Sequence, residues 1–245
     1  METIKTIYKI GKGPSSSHTI GPDNAIRSYI NKFDMDYCDV YLYGSLALTG
    51  KGHLTDYVIE EALKEAGVEY KIHFDFKTDE KELGHPNTMK IIGKKSGKEL
   101  TPWTVFSVGG GNIVVNNKKE SDEDSNVYPH SLFKDIAKFC EENNIDLLDY
   151  VNQYERDIDS FLNNILELML DSVETGLSKE GAIHGDLNIN RRAKKLFENA
   201  HEDVDLKLSA YAYAVSEENA TGGVIVTAPT CGACGVLPAV LYYYK

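Results

Sequence analysis

The chain has no excess of basic residues. Its 26 Lys and Arg face 38 Asp and Glu, a formal net charge of −12 over 245 residues. That balance argues against nucleic acid or an anionic membrane surface as partner, because either would need a basic patch. An anionic small molecule stays open, since a local site can oppose the global sign. There is no apolar run of about 18 residues and no secretory opening, so a soluble, cytoplasmic protein with no membrane partner is expected. Cysteine is scarce: four residues, Cys38, Cys140, Cys231 and Cys234, with no secreted disulfide spacing. The single pair Cys231-x-x-Cys234 cannot by itself complete a tetrahedral zinc site or a cluster, so no metal ligand is assigned in this chain. It also lacks the strand–helix setting of a thioredoxin motif. What remains is ordinary globular composition, 42% apolar and 26% charged, with length for one large or two small domains.

The most informative stretch is Gly13-Pro14-Ser15-Ser16-Ser17-His18-Thr19. Gly13 and Pro14 predict a shaped loop, not a strand interior. Behind it, Gly21-Pro22-Asp23 opens a helical pattern with Ala25, Ile26, Tyr29, Ile30 and Phe33 on one face. A polar loop feeding a helix N-terminus suits a carboxylate or another anion. A hydroxyl-rich turn that merely caps the helix explains such a loop as well.

A second stretch runs from Gly44 to Asp56, GSLALTGKGHLTD. It resembles a phosphate-binding P-loop and is not one: Gly52 stands where Ser or Thr should hold magnesium. It follows a strand-like run, Tyr37 to Tyr43, and opens a helix from His53 to Ala66, ended by Gly67. His53 and Asp56 are spaced to share a face, so the carboxylate could orient the imidazole as a base requires. Equally, Asp56 can be a first-turn acid and His53 a surface residue.

Further strands are expected at Glu69 to Phe76, Lys90 to Ile92, Trp103 to Val108 and Asn112 to Val115, with Gly109 to Gly111 as a turn. Lys118 to Asn126 is charged and polar and reads as a flexible surface loop. From Ser131 the pattern is helical: Ser131 to Asn143, one long helix from Leu147 to Leu177, Arg191 to Ala200, and Leu206 to Ala220. The closing run Val236 to Tyr244 is apolar all round and needs more protein to bury it. An oligomer, or docking on a complementary chain, is expected from it.

Five segments together carry a resemblance: Gly13 to Pro22, Gly44 to Asp56, His85-Pro86-Asn87-Thr88-Met89, Ser216 to Gly223 (SEENATGG) and Thr227 to Gly235 (TAPTCGACG). In this order the chain resembles the iron–sulfur-dependent L-serine dehydratases (L-serine ammonia-lyases) of bacteria. The resemblance implies an α+β N-terminal domain over residues 1–130, followed by part of an all-helical domain over 131–245. It implies deamination of L-serine to pyruvate and ammonia, with a [4Fe-4S] cluster as Lewis acid. His18 and His53 become candidates for base and orienter, and His85 a third. Ser15, Ser16, Ser17 and Thr19 would hold the substrate's carboxylate and ammonium. Asn219 and Thr230 would line the cluster side. His73, His130 and His201 are read as structural.

Two features depart from the family. The sequence reaches Lys245 soon after the Thr227 motif, so the cluster-bearing cysteines are expected to be missing and the chain alone to have little activity. His184-Gly185-Asp186 stands where glycines are expected before Leu187-Asn188. Two other functions compete. One is a cluster-free amino-acid-binding or regulatory paralogue. The other is a pyridoxal-phosphate dehydratase with Gly109 to Asn112 as phosphate loop, disfavoured because no lysine has a convincing Schiff-base setting.

Overall fold

The computed structural model describes residues 1–119, 126–183 and 189–245. A short strand, β1 (Ile10–Lys12), leads into a π-helical turn, Ser16–Ile20, which runs without a break into α1 (Gly21–Lys32). The expected loop is therefore the first turn of a helix. Next come β2 (Tyr37–Leu42), α2 (Gly44–Thr49), α3 (Thr55–Glu65) and β3 (Glu69–Phe74). A one-turn α4 (Glu80–Leu83) precedes β4 (Thr88–Lys95), β5 (Lys98–Glu99), β6 (Trp103–Gly109), β7 (Asn112–Val115) and β8 (Lys118–Lys119). The remainder is helical: α5 (Phe133–Asn143), α6 (Leu147–Tyr154), α7 (Ile158–Ser178), α8 (Ala193–Ala200), α9 (Val204–Ala220), strand β9 (Val224–Val226) and α10 (Val236–Tyr243). A sheet-bearing N-terminal part followed by helices is the expected fold class.

Seven strands form the main sheet, in the order β3-β2-β4-β6-β7-β8 with β5 on β4. Among the described strands only β2 and β3 pair in parallel, and α2 and α3 supply the crossover that parallel pairing requires. Alternation sends Cys38, Val40 and Leu42 to one face, where Ile26 and Tyr29 of α1 and Ile59 and Leu63 of α3 pack on them. Tyr29 is fixed at both ends of its hydroxyl, donating to Thr101 O (2.9 Å) and accepting from Gly93 N (3.0 Å). The opposite face carries Asp39, bonded to His73 Nε2 and Lys94 Nζ, each at 2.9 Å.

The helical part packs around α7 and α9. Gly176 allows their closest approach, since a Cβ there would lie 2.3 Å from Ala214 O. α10 packs through Pro238 and Ala239, and leaves Val236 and Tyr244 exposed. The expected single helix from Leu147 to Leu177 is two helices. Asp146 and Asp149 form a capping box at the start of α6. α6 stops at Glu155, and Asp157 adopts φ 55 before α7 begins.

At the break, Glu155 is bonded outside both helices. Its buried Oε1 accepts from Thr3 Oγ1 (2.6 Å), Ile4 N (2.9 Å) and Tyr128 OH (2.9 Å). The Met1 amine donates to Tyr128 O at 2.8 Å. The N-terminus is thereby bonded to the helical part, and β1 continues the attachment by pairing antiparallel with β9, Ile10 opposite Val226. The His184 to Asn188 departure and most of the expected 118–126 loop lie outside the described residues. Glu155→Ala strands three donors and is expected to lower unfolding free energy by about 3 kcal/mol, roughly 1 for each donor. Urea denaturation measures it, and a change below about 1 kcal/mol would refute this role for Glu155.

Candidate active site

The site is built where β1 meets the end of α9. Gly13 donates its amide to Gly223 O (3.1 Å), and a Cβ at Gly13 would fall 2.2 Å from both the backbone and side-chain oxygens of Asn219. Asn219 Nδ2 reaches Pro14 O at 3.4 Å, while its Oδ1 is buried with no hydrogen-bond partner. Beyond Pro14 the π-helical turn begins. Ser15 Oγ accepts from His18 N (3.2 Å), and Ser15 N donates to Thr19 Oγ1 (3.2 Å).

His18 lies between two hydroxyls, Ser17 Oγ at 2.9 Å from Nδ1 and Ser45 Oγ at 2.8 Å from Nε2. Its ring centroid is 4.8 Å from that of His53. Burial pushes the His18 pKa below its ordinary value, and the neighbouring His53 pushes it the same way. Thr19 and Thr55 bind the two segments together. Thr19 Oγ1 donates to His53 O (2.6 Å), and Thr55 Oγ1 donates to His18 O. These interlocking bonds explain why Thr19 and Thr55 are fully buried.

His53 Nδ1 is 3.0 Å from Thr49 O. A carbonyl can only accept, so neutral His53 carries its proton on Nδ1 and leaves the Nε2 lone pair bare. The Thr49 carbonyl is thus its orienting partner. Asp56, expected in that role, accepts from Tyr57 N instead (3.0 Å). His85 has the reverse tautomer: Nδ1 accepts from Asn87 N (3.0 Å), so the neutral ring bears its proton on Nε2. The His85 loop joins the site through backbone, Ser45 N donating to Pro86 O at 2.9 Å.

Two cavities are lined by residues next in sequence or bonded to the histidine pair. One of about 400 Å³ lies between Lys51, Gly52, Leu54 and Tyr57 on one side and Ala220, Thr221 and Gly222 on the other. It is roomy enough for a three-carbon amino acid. The second, about 340 Å³, lies beyond Ser45 at the carboxyl end of β2 and is lined also by Thr49, Asp75 and Thr78.

The structure therefore brings Ser15, Ser17, His18, Thr19 and His53 together, with Asn219 against Pro14. Ser16 stands in the same turn, and a Cβ at Gly21 would sit 3.5 Å from its carbonyl. Thr230 is exposed, and its carbonyl accepts from Ala228 N and Ala233 N (3.3 Å each). Among the described residues no hydrogen bond joins Thr230 to the histidine pair. Ser45 and Thr49 are the partners that sequence reasoning missed, although both stand inside the quoted Gly44 to Asp56 motif.

The cysteines do not fit a [4Fe-4S] cluster. Cys231 and Cys234 are buried among Val173, Tyr211, Ala214 and Val215. Burial pushes their thiols up to about 11 and about 12, and two cysteines alone cannot complete a cluster. Cys38 lies in the sheet core, pushed up to about 12 for the same reason. Among the described residues no three His, Cys, Asp or Glu side chains are grouped to hold a metal. No described helix is long and apolar enough to cross a membrane.

Comparison with known proteins meets the same segments. The serine dehydratase beta chain family matches residues 3–69, and the serine dehydratase alpha chain family matches residues 53–245. L-serine dehydratase TdcG of Escherichia coli is 36% identical over 294 residues, covering 97% of this chain and 65% of that protein. L-serine dehydratase 2 of Escherichia coli is 33% identical over 301 residues, covering 100% and 66%. The L-serine dehydratase of Haemophilus influenzae is 33% identical over 303 residues, with the same coverage of 100% and 66%. The chain thus spans 65 to 66% of the length of these relatives. The 301-residue alignment exceeds the 245 residues here, so that relative also carries insertions within the matched span. The beta chain match covers both His18 and His53, the alpha chain match begins at His53 and covers most of the chain, and by them the chain belongs to the serine dehydratase family.

Proposed function

We propose that this chain binds L-serine and serves its dehydration and deamination to pyruvate and ammonia. The observation that carries the reading is the histidine pair, 4.8 Å apart, set against a hydroxyl-rich helix start. Loss of water from serine needs a base for the α-proton and a fixed carboxylate. The opening amides of Ser16 and Ser17 and the hydroxyls of Ser15, Ser16 and Ser17 suit the carboxylate, because a helix start presents donors without acceptors. The buried, unpartnered Asn219 Oδ1 suits the ammonium, which is all donor.

His53 is the base in this reading. Its Nε2 has no hydrogen-bond partner among the described residues, and its sequence neighbours Gly52 and Leu54 line the cavity of about 400 Å³. His18 is the orienting partner, neutral and bonded on both nitrogens. His85, with its proton on Nε2, is a donor to a substrate oxygen and not a base. Thr230 stands apart from this arrangement. The iron–sulfur cluster of the family is not held by the cysteines described above, so no step of this reading passes through it. That same misfit favours a second reading, an amino-acid-binding protein without deamination.

Calorimetric titration tests binding. L-serine is expected to bind saturably in the millimolar range or tighter, and D-serine not; a chain indifferent to L-serine refutes both readings. Pyruvate release from L-serine, after anaerobic incubation with iron and sulfide, separates the dehydratase from the binding protein. Where turnover is seen, His53→Ala should lower it on the order of 10²–10⁴-fold with affinity nearly kept. His201→Ala should change neither, and normal turnover in His53→Ala would move the base to another group.

The His18 environment also fixes a pH dependence. Its folded pKa lies below the ordinary histidine value. Between the folded and unfolded values the unfolded chain binds more protons, so stability rises with pH across that window and is level above it. Acidification below about pH 6.5 should therefore weaken the fold, and His18→Gln should remove that part of the slope. Identical slopes in the two proteins, from urea denaturation at a series of pH values, would exclude His18 as the cause.

A further inference from the structure

Ser45 occupies a position that links three parts of the site. Its hydroxyl is 2.8 Å from His18 Nε2, while Ser17 Oγ holds Nδ1 at 2.9 Å. Neutral imidazole has one N–H and one lone pair, and imidazolium has two N–H groups. A hydroxyl both donates and accepts, so it satisfies a ring nitrogen in each of these states. A carbonyl satisfies only a nitrogen that bears a proton, as the Thr49 carbonyl does for His53 Nδ1, and an ammonium only a bare lone pair.

The hydroxyl is also well placed by its backbone. Gly44 has φ +51, and a Cβ there would lie 2.5 Å from Pro86 O, the carbonyl that accepts from Ser45 N. On the other side Ser45 O accepts from Thr49 Oγ1 (2.9 Å), and Thr49 O in turn receives His53 Nδ1 (3.0 Å). One turn of α2 therefore joins the two imidazoles. Ser45 also borders the cavity of about 340 Å³, which leaves room for an added methyl.

We propose that Ser45 is a positioning residue for His18, giving Nε2 a partner in both protonation states so that the ring can gain and lose a proton beside His53 without moving. The proposal rests on reading this region as the amino-acid site. His53 is the titratable side chain that faces His18, and Asp75 lines the cavity that Ser45 borders; Ser15, Ser17 and Thr55 add no charge.

The test is NMR titration of His18 in the ¹⁵N-labelled chain, with the tautomer read from its ring nitrogens. In Ser45→Ala, Nε2 faces a methyl. The neutral ring should settle as the Nδ1–H tautomer, since a bare lone pair is less costly to bury than a bare N–H. The imidazolium loses one acceptor, so the His18 midpoint should fall by about 1 pH unit, the size of one lost hydrogen bond to a charged group. Ser45→Thr should restore both midpoint and tautomer. L-serine affinity, titrated separately, should fall about 10-fold in Ser45→Ala and hold in Ser45→Thr, one lost hydrogen bond at the site.

An unchanged midpoint and tautomer in Ser45→Ala overturns the proposal, as does a Ser45→Thr protein that behaves like Ala. Should Ser45→Ala not fold, Ser45→Cys is read the same way: its weak thiol acceptor should lower the midpoint, and an unmoved one overturns the proposal. A wild-type chain that ignores L-serine refutes the substrate reading, while the His18 titration still decides the role of Ser45.

Discussion

Everything at the site depends on the contact between Gly13 and Asn219. With a Cβ position 2.2 Å from both Asn219 oxygens, no side chain can stand at residue 13 without displacing the end of α9. The contact is continuous with the β1–β9 pairing, where Lys12 opposes Val224. It delivers the chain to Ser15 at a fixed point on the helical part. From there the π-helical turn carries His18 toward the sheet part, and α1 packs on the sheet immediately afterwards. The turn thus spans the junction, anchored on helices at one end and on the sheet at the other.

The end of α9 is itself held by charge. Glu218, nearly inaccessible, takes Arg191 (2.8 Å) and Lys179 (2.6 Å), while Arg191 also donates to Thr221 Oγ1 (2.8 Å). Glu217 accepts from the Arg192 amide at 2.7 Å. Such buried pairs add little net stability, because desolvation offsets the attraction, but removing one partner leaves an uncompensated charge and is strongly unfavourable. Their value here is directional. They leave Asn219, next in sequence, no freedom to turn away from Pro14. A neutral His18 fits the same logic: a charged ring there would find no carboxylate among its hydrogen-bond partners.

Much of this was legible in the sequence, for identifiable reasons. Alternation at Tyr37 to Leu42 and at Trp103 to Gly109 marks strands with one buried face, and the observed spans agree closely. The helical period from Ala25 to Tyr29 is as plain. Motif resemblance put His18 and His53 in the same region before any geometry existed. The failures are equally physical. β1 and β9 have three residues each and lie far apart in sequence, too short for any pattern to register. The long helix is split at Glu155, whose apolar neighbours keep helical period on both sides while its carboxylate serves Thr3, Ile4 and Tyr128. Asp56 had the right spacing for His53, but spacing cannot tell a carboxylate from a nearby carbonyl.

The two parts of the molecule contribute different groups, and this sets what the site can sense. Ser45 sits at the carboxyl end of β2, fixed by the sheet and by Pro86 O. In sheets with parallel strands that end is where ligands gather, because the chain there turns into helix and exposes backbone donors. Asn219 belongs to the helical part and Gly13 is pressed on it. His18 is tied to both, through Ser45 on one side and through Ser15 and Pro14 on the other. A small ligand between the histidine pair and Asn219 would therefore touch groups from both parts at once. Ile20, two residues on from His18, packs in the core of the helical part and lies against Gly111 of the sheet part, so the turn is held from both sides. The hydrogen bonds from Thr19 to His53 O and from Thr55 to His18 O tie the turn to the His53 segment. Their buried threonines are thus as much a part of the site as the imidazoles they lie beneath.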